Sequence, residues 1–107
     1  MVDTWFFSDT RFFQMMTKIL KDNNELYGYL VQTARCLQEG EHFELAESLF
    51  QASRFVSGSP SEFFHEAQLA LERVSKEQPQ SLSSSQLQDV EAVRAQIKEA
   101  FRRIGGA

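Results

Sequence analysis

The chain has 107 residues, of which 42% are hydrophobic and 24% charged, and its formal net charge is −4. This size and composition are typical of a single compact domain over residues 1–107, and they argue against global disorder, a fibrous protein and a disulfide-stapled protein. The negative charge also disfavours nucleic acid as a partner, because the phosphate backbone is bound by basic surfaces.

Apolar residues recur every three or four positions along almost the whole chain, which is the spacing of one face of an α-helix. The first predicted helix follows Asp9 as its N-cap. Its apolar face comprises Phe12, Phe13, Met16, Ile19 and Leu20. Three further helices are predicted over about 25–38, 41–56 and 60–76. Phe50 and Val56 are predicted to be among the buried residues of the second of them, and the predicted apolar face of the third comprises Phe63, Phe64, Ala67, Leu71 and Val74. Gly40 is expected to end the first of these three, and Ser59 with Glu62 has the spacing of a capping box at the start of the last.

Residues 77–85 are rich in Ser and Gln, contain Pro79 and lack apolar periodicity, so they are predicted to form a flexible linker. Ser83 and Gln86 repeat the capping-box spacing, and a last helix is predicted to run from there to Gly105. Its apolar face comprises Leu87, Val90, Val93, Ile97, Phe101 and Ile104. No segment alternates with the period of a β-strand. The predicted fold is therefore all-α, a compact antiparallel bundle of four to five helices.

The chain carries no pattern that predicts a membrane span or export. Its strongly apolar runs, such as residues 5–7, are three residues long and too short to cross a bilayer. A basic region followed by an apolar stretch is missing at the N-terminus, so no signal peptide is expected. Cys36 has no second cysteine to pair with inside the chain, which suits a reducing compartment. We therefore expect a cytoplasmic protein without a membrane partner.

Four carboxylates lie within nine residues, with no basic residue among them. Residues 22–50 contain six acidic residues against Arg35 alone, a net charge of −5 that exceeds the imbalance of the whole chain. Such a run is usually a solvated helix face, but this concentration can also form a negative patch for a basic protein. The predicted partner-binding residues are Glu39, Glu41, Phe43, Glu44 and Glu47.

The chain is unusually rich in Phe, with 10 residues against 2 Tyr and 1 Trp. The first 16 residues hold seven large apolar side chains, more than one helix can turn inward: Trp5, Phe6, Phe7, Phe12, Phe13, Met15 and Met16. Either this segment folds back on the bundle as a lid, or it forms an apolar interaction surface or a membrane-surface helix. Further along the chain, some of four more phenylalanines are expected to be exposed or covered by another chain, because the group includes neighbours that point to different faces of a helix: Phe43, Phe55, Phe63 and Phe64.

A metal centre is the alternative from another functional class. Glu39 with His42, and Glu62 with His65, have the Glu-x-x-His spacing of carboxylate-bridged di-metal bundles, and Glu66 lies beside the second pair. Gly40 interrupts the first pair, and no other helix offers an inward Glu. We therefore expect solvated carboxylates and no metal or other cofactor.

Covalent catalysis has little support in the sequence. Cys36 is most simply a small core residue near the end of a helix, and no serine lies on a glycine-flanked turn of the kind that exposes a nucleophile. No glycine-rich loop follows a strand to hold a phosphate. We therefore expect a protein that is not an enzyme.

The segment from Leu37 to Leu49 has a Gly, an aromatic residue and an Ala at the offsets found in the inter-helix turn of tetratricopeptide-like hairpins. It also resembles small helical immunity proteins of bacterial contact-dependent toxin systems. The resemblance implies a protein that binds a basic toxin or nuclease domain and masks its active site. A helical adaptor, a chaperone or a homodimerising domain remains the alternative within the class of binding proteins.

Overall fold

The computed structural model describes residues 19–104, which form four α-helices and one short 3₁₀ helix. The α-helices are α1 (Asn23–Glu39), α2 (Phe43–Ser53), α3 (Pro60–Glu77) and α4 (Ser84–Arg103), and the 3₁₀ helix (Arg54–Ser57) follows α2. No strand occurs within residues 19–104. The predicted all-α bundle is therefore confirmed.

The predicted first helix lies almost entirely outside the described residues. Of its apolar face, Ile19 and Leu20 are described, and both lie in an irregular segment that leads into α1. Asp22 begins α1, because its side chain accepts a hydrogen bond from the backbone N–H of Glu25 at 2.9 Å. The helix predicted from residue 25 thus begins two residues earlier.

Of the two predicted capping boxes, one has both of its hydrogen bonds and the other has one. At the start of α4, the Ser83 hydroxyl accepts from the Gln86 backbone and the Gln86 side chain accepts from the Ser83 backbone, so the capping box is confirmed. At α3, the Ser59 side chain accepts from the backbone N–H of Glu62 at 3.3 Å, and Pro60 occupies the first helical position as predicted.

Helix α1 ends at Glu39 with Gly40 as its C-cap, as predicted, but the left-handed residue of the turn is the next one. Gly40 has an ordinary φ of −87°, whereas Glu41 adopts the left-handed conformation with φ 67°. The backbone N–H of His42 donates to Leu37 at 2.8 Å and that of Glu41 donates to Gln38 at 3.0 Å, which is the Schellman pattern of helix termination. Glu41 thus holds the position that glycine usually takes.

Glycine at position 40 is required by close packing. A Cβ atom there would overlap Cβ of Ser81 and lie 2.7 Å from its Oγ. Ser81 belongs to the α3–α4 connection, which spans residues 78–83 and is shorter than the predicted linker of residues 77–85. Pro79 and Leu82 from this connection are buried. The connection therefore packs against the α1–α2 turn.

The helix predicted over residues 41–56 is a shorter α-helix followed by a 3₁₀ helix. The α-helix begins at Phe43 and not at residue 41, because residues 40–42 form the turn. Near its end, the Ser53 hydroxyl donates to the carbonyl oxygen of Phe50 at 2.7 Å, a local bond that competes with the α-helical pattern. Phe50 and Val56, which were predicted to be buried, are half-buried.

The core receives side chains from all four helices and from Leu82. Helix α3 packs against both α2 and α4, so it is covered on two sides. Phe63 and Phe64 are both buried, as predicted from the apolar face of this helix, with ring centroids 6.2 Å apart, whereas Phe43 is exposed. Along α4, Val90, Val93 and Ile97 are buried, Leu87 and Phe101 are half-buried, and Ile104 is exposed.

Candidate functional site

The five predicted partner-binding residues are all exposed. Glu39 is the last residue of α1 and Glu41 lies in the following turn, while Phe43, Glu44 and Glu47 occupy the first turns of α2. The structure brings the three α2 residues together on the wall of a groove. Glu39 and Glu41 remain outside that groove, so the acidic surface has two parts.

The groove lies between α2 and α3 and is open to solvent, with a volume of about 690 Å³. The buried residues Ala52 and Ala70 face it from the two helices. Phe43 is 59% exposed and Leu69 is 46% exposed, which gives the groove two large apolar side chains that a partner can cover. The remaining lining residues are Glu44, Glu47, Ser48, Gln51, Glu66 and Arg73.

Sequence reasoning missed the contribution of α3 to this groove. Glu66, Leu69, Ala70 and Arg73 are spaced three, one and three residues apart, as on one helix face. One signal was present: Leu69 did not belong to the predicted apolar face of its helix. A large apolar residue outside the buried face of an amphipathic helix indicates an exposed contact surface.

The groove is negative because its described lining has three carboxylates, those of Glu44, Glu47 and Glu66, and a single guanidinium, that of Arg73. Arg73 donates to the Ser48 hydroxyl at 2.8 Å and lies 3.5 Å from a carboxylate oxygen of Glu77, outside the groove lining. Glu47 accepts from the side-chain amide of Gln51 at 2.6 Å. Within residues 19–104, the carboxylates of Glu44 and Glu66 have no hydrogen-bonding or ionic partner. They remain available to a basic group.

The residues of the alternative metal centre lie in different places. Glu39 and His42 flank the α1–α2 turn, and Glu62, His65 and Glu66 lie on α3. No group of three potential His, Cys, Asp or Glu ligands comes together within the described part of the chain. Glu66 instead lines the acidic groove.

A smaller cleft of about 180 Å³ lies between α1 and the start of α4. Cys36 is half-buried there, with the Gln86 amide nitrogen 4.0 Å from its sulfur. Tyr29 lines the same cleft. Its burial raises the pKa of the phenol above the ordinary value; a hydrogen bond with Thr33 acts in the opposite direction, and the nearby carboxylate of Asp89 adds to the rise.

Because the Tyr29 phenol is buried, we expect the free energy of unfolding to fall as the pH becomes alkaline. The unfolded Tyr29 ionises near pH 10, while the folded phenol stays protonated, so its contribution to stability is complete below pH 10 and declines as the pH rises further. We expect Tyr29→Phe to lose less stability than the wild type between about pH 10 and 11.5. Urea denaturation at several pH values in this range measures the free energy of unfolding of both proteins. An identical decline of this free energy with pH would contradict the burial of the Tyr29 phenol.

Basic residues of α4 form local ion pairs, as their spacing predicts. Arg94 lies 3.1 Å from Glu91, and Arg102 lies 2.6 Å from Glu99. The Arg102 guanidinium, together with Arg103, holds the pKa of the Glu99 carboxyl below its usual range. These basic residues therefore belong to an ordinary charged helix surface, in contrast to the groove between α2 and α3.

Between residues 19 and 104, no helix has both the length and the apolar character needed to span a membrane. Comparison of the chain with protein-family models, curated proteins and solved structures finds no match.

Proposed function

We propose that this protein binds a basic protein partner in the groove between α2 and α3 and acts in the cytoplasm as an inhibitor or immunity protein. The observation that carries the proposal is the combination of two exposed apolar side chains, Phe43 and Leu69, with uncompensated carboxylates at one groove. Apolar anchors surrounded by charge are typical of protein interfaces.

The two kinds of side chain have different roles in binding. Covering an exposed Phe or Leu stabilises a complex by roughly 1.5–3 kcal/mol when burial is complete, and aromatic anchors commonly dominate interface energetics. The carboxylates of Glu44 and Glu66 attract a basic surface and set its orientation, which affects association rate and specificity more than affinity. The partner therefore needs an apolar side chain flanked by Lys or Arg.

The resemblance of residues 37–49 to the hairpin of immunity proteins favours an inhibitor within this class. Nuclease toxins carry basic surfaces for their substrate, and an acidic protein seated there blocks access. A homodimer that meets through this groove is disfavoured, because two copies would bring like charges together. Glu39 and Glu41 extend the negative surface beyond the groove and steer a basic partner towards it.

The test compares two variants with the same net charge. Glu44→Gln with Glu47→Gln changes the net charge from −4 to about −2 inside the groove, and Gln88→Lys with Ala95→Lys makes the same change at exposed positions of α4. Tagged proteins are used to capture a partner from lysate of the native host, and affinity is then measured with the purified partner at several salt concentrations. We expect the groove variant to bind about tenfold more weakly, chiefly through a slower association rate, and with a smaller salt dependence, while the α4 variant binds as the wild type.

Equal affinity of the two variants would exclude the groove as the binding site. A captured partner that is toxic alone, and harmless when co-expressed with this protein, supports the inhibitor function. A non-toxic partner supports an adaptor or chaperone instead. Recovery of the protein alone as a dimer, measured by light scattering, would contradict the proposed function.

A further inference from the structure

The groove between α2 and α3 is bounded by a helix along each of its two walls. Its lining runs from Phe43 to Ala52 on α2 and from Glu66 to Arg73 on α3. The bond from Arg73 to the Ser48 hydroxyl joins residues on either side of the short connection between the helices, so α3 runs antiparallel to α2. At the rise of an α-helix, the two walls are about 10–14 Å long.

These helical walls restrict the backbone of whatever binds between them. The backbone N–H and C=O groups of α2 and α3 bond along their own helices, so they cannot pair with an extended peptide as the edge of a sheet does. Backbone polar groups that are covered without a hydrogen-bonding partner destabilise a complex, and an α-helix satisfies its own groups internally. The groove therefore favours a helical occupant over an extended one.

The two exposed apolar side chains of the groove are spaced to meet one face of such a helix. On α2, Ala52 lies one helical turn beyond Ser48. On α3, Leu69 lies one turn before Arg73, so antiparallel packing brings Leu69 level with Ala52. Phe43 is nine residues from Ala52, which separates Phe43 from Leu69 by about 13 Å along the groove. An occupying helix covers this distance in a little over two turns.

Short side chains form the floor between these two apolar side chains. Ala52 and Ala70 line the groove and are buried, with exposed fractions of 3% and 5%. When helices pack, large side chains of one helix fill the spaces that small side chains leave on its neighbours. The floor therefore has room for a large apolar side chain of the occupant, between those that cover Phe43 and Leu69.

Carboxylates lie towards both ends of the groove. Glu44 and Glu47 are on the first turns of α2, beside Phe43. Glu66 lies one turn before Leu69 on α3, towards the opposite end. A helix that carries Lys or Arg beside its apolar face at both ends complements this distribution of charge.

We infer that the basic partner presents an amphipathic α-helix of about three turns to this groove, with apolar residues at i, i+4 and i+7 and with Lys or Arg towards both ends. The inference rests on the proposed function, because it specifies which element of the partner the groove receives. The helix lies along α2 and α3 as an additional member of the bundle, and its apolar face covers Phe43 and Leu69.

A defined peptide tests this inference without a captured partner. The probe is a fluorescent peptide of about 16 residues, long enough to populate a helix, with Leu at i, i+4 and i+7, Lys towards both ends and Ala elsewhere. One control peptide has the same composition in an order without an apolar face, and the other has Pro in place of a central Ala, which breaks the helix and keeps the charge. We expect the protein to bind the probe at least about tenfold more tightly than either control in fluorescence anisotropy, and circular dichroism to show a gain of helix on binding.

A matched pair of substitutions locates the binding site on the protein. The side chains of Leu69 and Ile104 are 46% and 47% exposed, and Leu69 lines the groove whereas Ile104 lies at the end of α4 outside it. We expect Leu69→Ser to weaken binding of the probe about tenfold and Ile104→Ser to leave it unchanged. Circular dichroism of both variants verifies that the helical content is retained.

Four results would overturn the inference. The first is equal affinity for the three peptides, or no binding of the probe, and the second is binding without a gain of helix. The third is an equal effect of the two substitutions, which assigns the probe to another surface. The fourth is dimer formation in light scattering that prevents probe binding, which assigns the groove to a second copy of the chain.

The peptide also separates failure of this inference from failure of the proposed function. A captured partner that is weakened by Glu44→Gln with Glu47→Gln, but that the probe does not displace, contradicts the helical occupant and leaves the proposed function intact. Tight binding of the probe in the groove, with no partner captured from lysate, supports the preference for a helix and contradicts the proposed function.

Discussion

Phe63→Ala is expected to lower the free energy of unfolding by about 3–5 kcal/mol. The side chain is fully buried on α3, the helix that packs against both α2 and α4, and its ring is stacked beside Phe64. Its removal takes away a large apolar contact and leaves a cavity that neighbouring helices fill only in part. Urea denaturation followed by circular dichroism measures the effect.

Phe43→Ala is the matched control, because it removes the same atoms from a side chain that is 59% exposed. We expect its stability to stay within about 0.5 kcal/mol of the wild type, since exposed positions contribute little to folding. Its affinity for a captured partner should fall, however, if the α2–α3 groove binds that partner. A loss of less than about 1 kcal/mol for Phe63→Ala would show that α3 is not the centre of the core.

Gly40→Ala is expected to destabilise the fold by about 1–3 kcal/mol, the range for overpacked sites. Its φ of −87° is accessible to alanine, so the backbone conformation is not the obstacle. The added Cβ would overlap Ser81 Cβ in the connection between α3 and α4. Either that connection or the α1–α2 turn has to move, and Pro79 and Leu82 would lose part of their burial.

Two comparisons isolate this steric cause. Gly28→Ala adds the same methyl group inside α1 with nothing within 4 Å, and we expect it to stabilise the protein by about 0.5–1 kcal/mol through helix propensity. Adding Ser81→Gly to Gly40→Ala should restore most of the lost stability, because it removes the overlapping atom. Equal effects of alanine at positions 28 and 40 would show that the contact with Ser81 does not exist.

Apolar spacing was sufficient to predict the fold class. The pattern in α4 predicted that Val90, Val93 and Ile97 are buried, and local capping signals located the starts of α3 and α4 within a residue. Features that depend on two segments at once escaped prediction. The need for glycine at position 40, for example, comes from its close approach to Ser81 in the α3–α4 connection.

One wall of the candidate groove could be predicted from the sequence, and the other could not. The charge run of residues 39–47 was evident from the sequence, and its members are exposed. The wall formed by α3 was not evident, because Glu66 and Leu69 are distant in sequence from residues 39–47. They line the same groove as those residues only when α3 packs beside α2. Helix spacing describes which residues share a face of one helix, but it does not specify which neighbouring helix that face meets.

The backbone N–H of Leu20 donates a hydrogen bond to the side-chain oxygen of Gln96 at 2.8 Å, and this contact bears on the order in which the helices assemble. Each pair of consecutive helices closes a short loop, whereas this bond joins residues 76 positions apart. For a flexible chain, closing a loop of that length costs about 2 kcal/mol more entropy than closing one of six residues. We therefore expect neighbouring helices to pair before residues 20 and 96 meet, and the groove between the adjacent helices α2 and α3 belongs to the most local part of the topology.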